Sequence, residues 1–300
     1  MAGKARKYFG AVEAGGTKFV CALTQADGTV LTRATIPTGD PAQTFASLRG
    51  FFDAAACDHG APAAFGIASF GPIDIDPASP DYGRILKTTK AHWTGARYED
   101  ALGAFGVPMR FDTDVNGAAL GEWVKGAGQG ADTLAYVTVG TGIGGAVLHR
   151  GVALNGSGHF EMGHIRVSHD PVRDPFGGHC PFHGDCLEGL AAGPAIRARW
   201  GADLSTLGAG HEAVSLEADY LAQMAATIIL LHMPDRIVFG GGVMKSPGLI
   251  EALRQRTVSL LGGYLEGIAG DLSDYIVAPG LRDDAGLTGA ILLAQRALKG

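Results

Sequence analysis

The sequence has few cysteines, and they are unevenly placed. Only four occur among 300 residues, and two of them, Cys180 and Cys186, lie in one short stretch. A small secreted domain held together by disulfides would need a denser set. We therefore expect no disulfide framework and a reducing, cytoplasmic location. Cys21 and Cys57 stand in apolar surroundings and are predicted to be core residues.

The chain also lacks a basic stretch and a long uninterrupted apolar run. Charged residues make up 18% of the sequence and the formal net charge is -6, so no nucleic-acid partner is expected. Residues 1–10 are basic in part but contain no apolar signal region. The most apolar helical stretch, residues 221–233, is predicted to be too short and too interrupted to span a membrane. No membrane partner is expected.

Glycine, in contrast, is abundant, with 47 residues, and apolar residues reach 46%, enough for two packed domains. Predicted strands at residues 8–13 and 19–24 are joined by AGGTK, and those at residues 133–139 and 146–150 are joined by GTGIGG. This internal repeat predicts two related α/β halves, one starting near residue 8 and the other near residue 133.

Three glycine-rich turns follow predicted strands, and we interpret them as a site for the phosphates of a nucleotide. Backbone N–H groups in such turns bind anions, and threonine hydroxyls add donors. A dinucleotide fingerprint is excluded because a strand follows residues 140–145, and a Walker A loop because Thr17 precedes Lys18. Ligand-free hairpin turns are the alternative for any single turn, but three in repeated halves favour a ligand. The turns are residues 14–18, 140–145 and 240–242.

Two acidic residues, Asp112 and Asp114, stand between a predicted strand at residues 108–111 and a helix predicted from about residue 117, with Asn116 near its N-cap. A carboxylate at such a place can accept a proton from a substrate hydroxyl. It can equally cap the helix or shape the turn. Spacing alone favours capping for both aspartates.

A Cys-x-x-His-x-x-Cys array, formed by Cys180, His183 and Cys186, predicts a zinc site. Zinc takes four nitrogen or sulfur ligands in a closed structural site. Either His164 or His179 can supply the fourth ligand, and spacing leaves both open. Four available protein ligands favour a structural ion that clips a polar loop around a pocket. A redox-active or merely buried cysteine pair is the less favoured interpretation.

Two glutamates, Glu161 and Glu188, flank this array. They can bind vicinal hydroxyls of a sugar through two hydrogen bonds each, or they can be solvated loop charges.

Taken together, these segments resemble the ROK family (repressors, open reading frames and sugar kinases), and within it the bacterial fructokinases. The similarity covers nearly the whole chain and rests on GAVEAGGTKFVCAL, FDTDVNGAALGE, YVTVGTGIGGA, GHFEMGH, GHCPFHGDCLEGLAAGPAI and IVFGGGV. It implies an actin-like, ribonuclease H-like fold with two α/β domains around a central cleft. The expected domains are residues 1–116, joined by a closing helix at 284–300, and residues 117–283 with a zinc loop at 159–188.

The resemblance also implies ATP-dependent phosphorylation of a hexose at its 6-hydroxyl, with Mg²⁺ accompanying ATP, in a homodimer. Asp114 would be the general base. His164 would be both a zinc ligand and a sugar contact, which places it ahead of His179. The other implied roles are sugar binding by Glu161, Glu188 and Asn116; zinc binding by Cys180, His183 and Cys186; phosphate binding by Gly15, Gly16, Thr17, Lys18, Thr141 and Gly142; and nucleoside binding by Gly241 and Gly242.

The sequence departs from the family pattern in three places. Glu13 stands where many members have aspartate, which bears on contact with Mg²⁺. Thr113 stands where many glucose-type members have asparagine, which favours fructose or mannose over glucose. The segment TTKAHWTG, residues 88–95, also differs from the pattern expected near the sugar.

Other functions are weighed against this one. A kinase for mannose, glucose or another hexose is the alternative within the same class. A sugar-responsive regulator is disfavoured because the first strand begins near Tyr8, without a preceding helix-turn-helix, and the charge is acidic. A non-catalytic sugar-binding protein is disfavoured by the presence of Asp114.

Overall fold

The computed structural model describes residues 7–268 and 270–298. The basic N-terminal residues 1–6, and residues 299–300 of the predicted closing segment, lie outside the described residues. The strands are β1 (Tyr8–Ala14), β2 (Lys18–Gln25), β3 (Val30–Pro37), β4 (Pro62–Ser69), β5 (Met109–Thr113), β6 (Thr133–Val139), β7 (Ile143–His149), β8 (Val152–Ala153), β9 (Arg236–Gly240) and β10 (Ile276–Val277). The helices are α1 (Pro41–His59), α2 (Glu99–Leu102), α3 (Asp114–Lys125), α4 (Leu187–Ala191), α5 (Gly193–Trp200), α6 (Leu204–Leu207), α7 (Glu212–His232), α8 (Leu249–Leu261) and α9 (Ala285–Ala297).

These strands form two sheets with the same topology. The first has the order β3-β2-β1-β4-β5, and the second has the order β8-β7-β6-β9-β10. In each sheet, the three strands that come first in sequence pair antiparallel. The two later strands pair in parallel, one of them with the first strand of that sheet. Short turns connect the antiparallel strands, whereas helical crossovers connect the parallel ones, as chain geometry requires. The predicted internal repeat is confirmed at the level of strand order.

The chain divides into two compact units, each built on one sheet. The first unit comprises the described residues up to Gly121, the short segment Asn155–His159 and the described residues from Asp283 onward. The second comprises Glu122–Leu154 and the described residues of Phe160–Arg282. The division falls inside α3, so one continuous helix belongs to both units.

In the first unit, helices cover both faces of the sheet. The ring of Phe65 in β4 meets Phe52 of α1 with centroids 4.9 Å apart. The next residue, Gly66, points to the opposite face, as alternation along a strand requires, and there a Cβ would lie 2.0 Å from the carbonyl oxygen of Ala290 in α9. A side chain at Gly66 would therefore push α9 away from the sheet.

The contact between α9 and α3 is equally close. A Cβ at Gly289 of α9 would lie 1.9 Å from the carbonyl oxygen of Gly117 in α3. Two glycines thus let the two helices meet backbone to backbone. This crossing fixes the position of α3, whose first residue is Asp114.

In the second unit, α7 is the central core helix. It has 21 residues, longer than the predicted stretch at 221–233, and by length and composition alone it could cross a membrane. However, 67% of its most apolar window is buried in the folded protein, and Leu221 and Ile229 are fully buried. The expectation that its length excludes a membrane span was wrong; burial accounts for its apolar sequence instead.

The four cysteines are free thiols, two of them outside the Cys-x-x-His-x-x-Cys array. Cys21 is buried, as predicted, and burial raises its pKa to about 12. Cys57 is exposed, so its assignment to the core was wrong. The reason is helical periodicity, because α1 buries the face that carries Leu48, Phe52 and Ala55 and turns Cys57 outward.

Candidate functional site

The β1–β2 turn is a tight glycine turn, held by hydrogen bonds from Thr38, the residue that follows β3. The N–H of Gly15 donates to the carbonyl of Lys18 at 2.9 Å and closes the turn. The hydroxyl of Thr38 donates to the Gly15 carbonyl at 2.8 Å, and the N–H of Thr38 donates to the Thr17 carbonyl at 2.9 Å. A Cβ at Gly16 would meet no atom within 4 Å. The turn is therefore a braced and open backbone of the kind that binds anions.

The strand register brings this turn and the predicted base to one edge of the first sheet. Ala14 at the end of β1 pairs with Ser69 of β4, and Ser69 pairs with Thr113 of β5. Neighbouring strands lie about 4.8 Å apart. Asp114, which follows Thr113, therefore leaves the same sheet edge as the glycine turn, roughly two strand spacings away.

Asp114 is the first residue of α3, which begins three residues before the predicted start. Asn116 was predicted near the N-cap, but the hydroxyl of Thr113 accepts the N–H of Asn116 at 3.1 Å. Thr113 is therefore the cap, and Asn116 lies in the first turn of the helix. The carboxylate of Asp114 accepts the N–H of Val115 at 3.0 Å. The half-buried carboxylate thus stands at the end of the helix whose dipole favours negative charge.

Asp112 has a different environment. Its Oδ1 accepts hydrogen bonds from the Asn116 amide at 2.6 Å and from the Thr113 N–H at 2.9 Å. The same amide also donates to Asn155 at 3.3 Å. Burial raises the pKa of Asp112, and the bond from Asn116 opposes that rise. Asp112 therefore holds Asn116 in place, which separates its role from that of Asp114.

Glu13 adds a second carboxyl group near Asp114. It packs against α9, where a Cβ at Gly286 would lie 2.5 Å from its carboxyl carbon. Its buried Oε2 has no hydrogen-bond partner among the described residues. Burial raises the pKa of Glu13 to about 7, and the negative charge of Asp114 acts in the same direction. An unpartnered carboxylate oxygen beside a second acid suits a hard cation.

In the second unit, the β6–β7 turn occupies the place that the β1–β2 turn has in the first. The N–H of Gly140 donates to the Gly142 carbonyl at 2.9 Å, and Thr141 at its tip is exposed. β7 begins at Ile143, so the turn is shorter than the predicted residues 140–145. Glu188 lies beside it: a Cβ at Gly142 would come within 2.6 Å of its Oε2.

The third glycine turn leaves the same edge of the second sheet, because Gly240 at the end of β9 pairs with Thr138 of β6. Gly240 itself is a strand residue, so the turn proper is Gly241 and Gly242. Gly241 has φ +93°, and a Cβ there would lie 2.3 Å from the Val139 carbonyl oxygen. Only glycine fits this position.

Four side chains between residues 164 and 186 come together. The Nδ1 of His164 lies 3.8 Å from the Sγ of Cys180 and 3.5 Å from the Sγ of Cys186, and the Nδ1 of His183 lies 3.6 Å from the Sγ of Cys180. All four ligand atoms lie within 4.8 Å of one another. His179, the alternative fourth ligand, is exposed and is not one of the four. This donor set can hold a four-coordinate metal ion.

The backbone around the cluster is already folded for this purpose. The N–H of Cys180 donates to the Gly184 carbonyl at 3.1 Å, and the N–H of Gly184 returns a bond to Cys180 at 2.9 Å. Arg166 forms an antiparallel bridge with Cys186, and its guanidinium donates to the His183 carbonyl at 3.0 Å. The polypeptide itself therefore orients the four ligands.

His164 faces the cluster with one ring nitrogen and Glu188 with the other. Its Nε2 lies 4.0 Å from Glu188 Oε1. A carboxylate at the second nitrogen orients an imidazole that binds a metal through the first. Glu188 lies on the short helix α4, whereas the predicted zinc loop extended to this residue. Glu161 is exposed, and its carbonyl accepts the N–H of His164 at 3.0 Å.

Two residues that contact the candidate site, Lys90 and Asn155, were not predicted from the sequence. Lys90 donates a hydrogen bond to the carbonyl of Gly16, and Asn155 accepts one from Asn116. The unusual segment at residues 88–95 was a signal for Lys90. The Asn155-Gly156 pair carried only a turn signal, which does not point to Asn116.

The chain is similar to known proteins over nearly its whole length. The ROK family pattern matches residues 9–297. A fructokinase of Zymomonas mobilis is 44% identical over 294 residues, covering 96% of this chain and 97% of that protein. A fructokinase of Pediococcus pentosaceus is 40% identical over 291 residues, covering 97% and 98%.

Among solved structures, a ROK hexokinase from Thermus thermophilus matches with a TM-score of 0.77 and 27% identity, covering 97% of this chain and 99% of that one. The predicted fold class, an actin-like fold with two α/β units and a cysteine–histidine loop, is confirmed.

Proposed function

The chain belongs to the ROK family, and we propose that it is an ATP-dependent fructokinase that converts D-fructose to fructose 6-phosphate. The observation that carries the proposal is identity of 40–44% to fructokinases over nearly the whole of both chains. Asp114, at the start of α3, is present in this chain and exposed enough to meet a substrate.

Asp114 is the proposed general base. In phosphoryl transfer the protein chiefly positions groups and stabilises charge. Asp114 accepts the proton of the 6-hydroxyl as that oxygen bonds to the γ-phosphorus of ATP. The bond between the γ-phosphorus and the β,γ-bridging oxygen breaks, and ADP leaves with the bonding electron pair. The backbone bond from Val115 orients its carboxylate, while Asp112 is engaged with Asn116.

The glycine turns are the proposed contacts of ATP. In the first unit the turn comprises Gly15, Gly16, Thr17 and Lys18; in the second, Thr141 and Gly142 serve the phosphates, and Gly241 and Gly242 the nucleoside. Open backbone and threonine hydroxyls support these roles.

When Mg²⁺ is bound with ATP it neutralises phosphate charge. Of the residues near Asp114, Glu13 fits the ion, because its buried Oε2 lacks a hydrogen-bond partner within the described part of the chain.

The proposed sugar contacts are Glu161, His164, Glu188 and Asn116. Two of them are held in place by neighbouring residues. Asn116 donates hydrogen bonds to Asp112 and Asn155, and Glu188 lies between His164 and the β6–β7 turn. Carboxylates and an amide of fixed orientation suit the hydroxyls of a hexose.

The proposed metal is structural zinc, held by His164, Cys180, His183 and Cys186. Zinc–sulfur bonds of about 2.3 Å and zinc–nitrogen bonds of about 2.05 Å at tetrahedral angles separate sulfur from nitrogen by about 3.6 Å. The distances here are 3.5, 3.6 and 3.8 Å. Burial raises the pKa of the Cys186 thiol, and Cys180 acts in the same direction. A bound cation is what would hold these thiols as thiolates.

A homodimer in the cytoplasm completes the proposal. Free thiols suit a reducing compartment, and the homodimer rests on the family resemblance. Light scattering of the purified protein measures the oligomeric state.

The function is tested by ADP release with Mg²⁺ and ATP across fructose, mannose, glucose, N-acetylmannosamine and no sugar. We expect turnover with fructose to exceed that with every other sugar. Preference for another hexose would keep the kinase and replace the substrate. Absence of turnover with any sugar, in folded metal-loaded protein, would overturn the kinase assignment in favour of a binding or regulatory protein.

A further inference from the structure

Lys90 contacts the β1–β2 turn from a separate part of the chain. Its ammonium group donates a hydrogen bond to the carbonyl of Gly16. It forms no ion pair within the described part of the chain. An ammonium has three donors, and only this one bond from the side chain is present. A lysine charge is thus held at the glycine turn without a carboxylate to neutralise it.

The position of Lys90 is set by a buried tryptophan close by. Trp93 is fully buried, and its ring packs on Phe19 with centroids 5.6 Å apart. The backbone N–H of Trp93 donates to the Lys90 carbonyl at 3.2 Å, which closes a turn. The N–H of Lys90 is held in addition by the hydroxyl of Thr88 at 3.3 Å. Lys90 is therefore fixed at its backbone, not carried on a loose loop.

Connected hydrogen bonds stabilise both the glycine turn and the turn at residues 90–93, which we call the Lys90 turn. The indole N–H of Trp93 donates to the carbonyl of Gly39 at 2.9 Å. The residue before it, Thr38, donates to the carbonyls of Gly15 and Thr17. A continuous set of hydrogen bonds therefore joins the backbone of Lys90 to the glycine turn, and the ammonium reaches the turn from this fixed backbone.

The backbone within the Lys90 turn is unusual. His92 has φ +68°, a left-handed conformation that costs free energy for a residue with a side chain. Such conformations persist where the surrounding structure imposes them, and they concentrate at functional sites. Here the constraint lies between Lys90 and its anchor Trp93.

The contact with Gly16 has a consequence for the next peptide group. In a trans peptide the carbonyl of Gly16 and the N–H of Thr17 point in opposite directions. By holding the carbonyl, Lys90 directs the Thr17 N–H to the other side of the turn. Glycine rotates freely, so without the lysine this peptide plane would be less well defined.

We propose that Lys90 is a phosphate-site residue of this enzyme, which orients the Gly16–Thr17 peptide and adds positive charge beside Lys18 for the β- and γ-phosphates of ATP. The inference rests on the proposed function, because it takes the turn as the phosphate site. Two lysine charges near phosphate oxygens favour the polyphosphate over a nucleotide with a single phosphate. Lys90 therefore supports binding of the phosphate chain, not of the nucleoside or the sugar.

The test compares Lys90→Met with wild type and with Lys87→Met, because Lys87 is an exposed lysine three residues earlier in the chain. Calorimetric titration with Mg²⁺–ATP and with AMP measures binding without turnover, so it remains informative if no sugar is phosphorylated. We expect Lys90→Met to weaken ATP binding by about 10- to 100-fold, as loss of a charge-assisted contact does. AMP binding, the KM for the sugar and the Tm should stay near the wild-type values, and Lys90→Arg should recover most of the ATP affinity.

Three outcomes would overturn the proposal. Equal weakening of ATP and AMP with a lowered Tm would mean that Lys90 only stabilises the fold. A raised KM for the sugar with unchanged ATP affinity would make Lys90 a sugar contact. Unchanged ATP affinity and unchanged kcat in Lys90→Met would remove any functional role.

Discussion

The carboxylate of Glu188 accepts the backbone N–H of Ile143 at 2.9 Å, while its other oxygen lies 4.0 Å from the Nε2 of His164. One side chain thus connects the cysteine–histidine cluster to the first residue after the β6–β7 turn. Because His164 turns its Nδ1 to the thiols, its Nε2 is left facing Glu188. Glu188 links the proposed metal to the proposed substrate contacts.

Glu188→Gln should therefore impair sugar binding. The amide oxygen can keep the bond from Ile143, but the negative charge facing His164 is lost. We expect the KM for the sugar to rise by about 10-fold or more, since hydrogen bonds to charged groups contribute about 1.5–3 kcal/mol. Steady-state kinetics with sugar and ATP varied separately measure it. Glu266→Gln, at an exposed position, is the control; an unaltered sugar KM in Glu188→Gln would remove this residue from the sugar site.

Asp114→Asn should abolish most turnover without unfolding the protein. The amide preserves the shape of the side chain but cannot take the proton of the attacking hydroxyl. We expect kcat to fall by about 10²- to 10⁴-fold, with both substrates still bound in calorimetric titrations. The Tm and the circular dichroism spectrum serve as controls for folding. A kcat within a few-fold of wild type would show that another group is the base.

Cys180→Ser and Cys186→Ser should each release the metal. Wild-type protein should contain one zinc per chain by plasma mass spectrometry, and each variant should contain little. Structural zinc contributes on the order of 10 kcal/mol to folding of small peptides, so the Tm should fall by about 5 °C or more. The sugar KM should rise as His164 and Glu188 lose their orientation.

The matched control for the metal experiment is Cys57→Ser, because Cys57 is exposed and lies outside the cluster. It should keep the wild-type zinc content, Tm and kinetics. Full zinc content together with unchanged sugar KM in both cluster variants would contradict the structural role of the metal.

Glu13 should make the ligand-free protein less stable as the pH rises from about 4.5 to about 7. Its pKa is raised by burial first and by Asp114 second, so in this window the folded state binds a proton that the unfolded state has lost. The free energy of unfolding then decreases by at most about 1.4 kcal/mol for each pH unit from this group. Above about pH 7 this contribution no longer changes.

Urea unfolding between pH 4.5 and 8, without Mg²⁺ and ATP, measures the effect of Glu13. Glu13→Gln should remove this part of the pH dependence and should be more stable than wild type at pH 8. Glu266→Gln should retain the wild-type profile. Identical pH profiles for Glu13→Gln and wild type would show that Glu13 titrates normally.

Local pattern was sufficient for most elements of the fold. Runs of apolar, β-prone residues predicted β1, β2 and β6 close to their observed bounds. The internal repeat predicted two related α/β halves, and the two sheets share one strand order. Errors arose where a side chain sets a boundary. α3 starts at Asp114 because the Thr113 hydroxyl caps it, and Cys57 is exposed because α1 turns its other face to the core.

The candidate site divides in the same way. The sequence by itself determined which chemical groups are available: the glycine turns, Asp114, and two cysteines and a histidine at three-residue spacing. Spacing left both His164 and His179 open as the fourth ligand. Of these two, the fold brings His164, and not His179, into the cluster of four ligands.

Tertiary structure alone decided the contacts between residues far apart in the chain. Lys90 meets Gly16 across 74 positions, and Glu188 meets Ile143 across 45. Periodicity and turn signals report the conformation of neighbouring residues. A long-range contact instead depends on how the strands and helices pack, in this chain on the burial of Trp93 and on the position of α4. No local pattern encodes that packing, so these contacts became visible only in the folded protein.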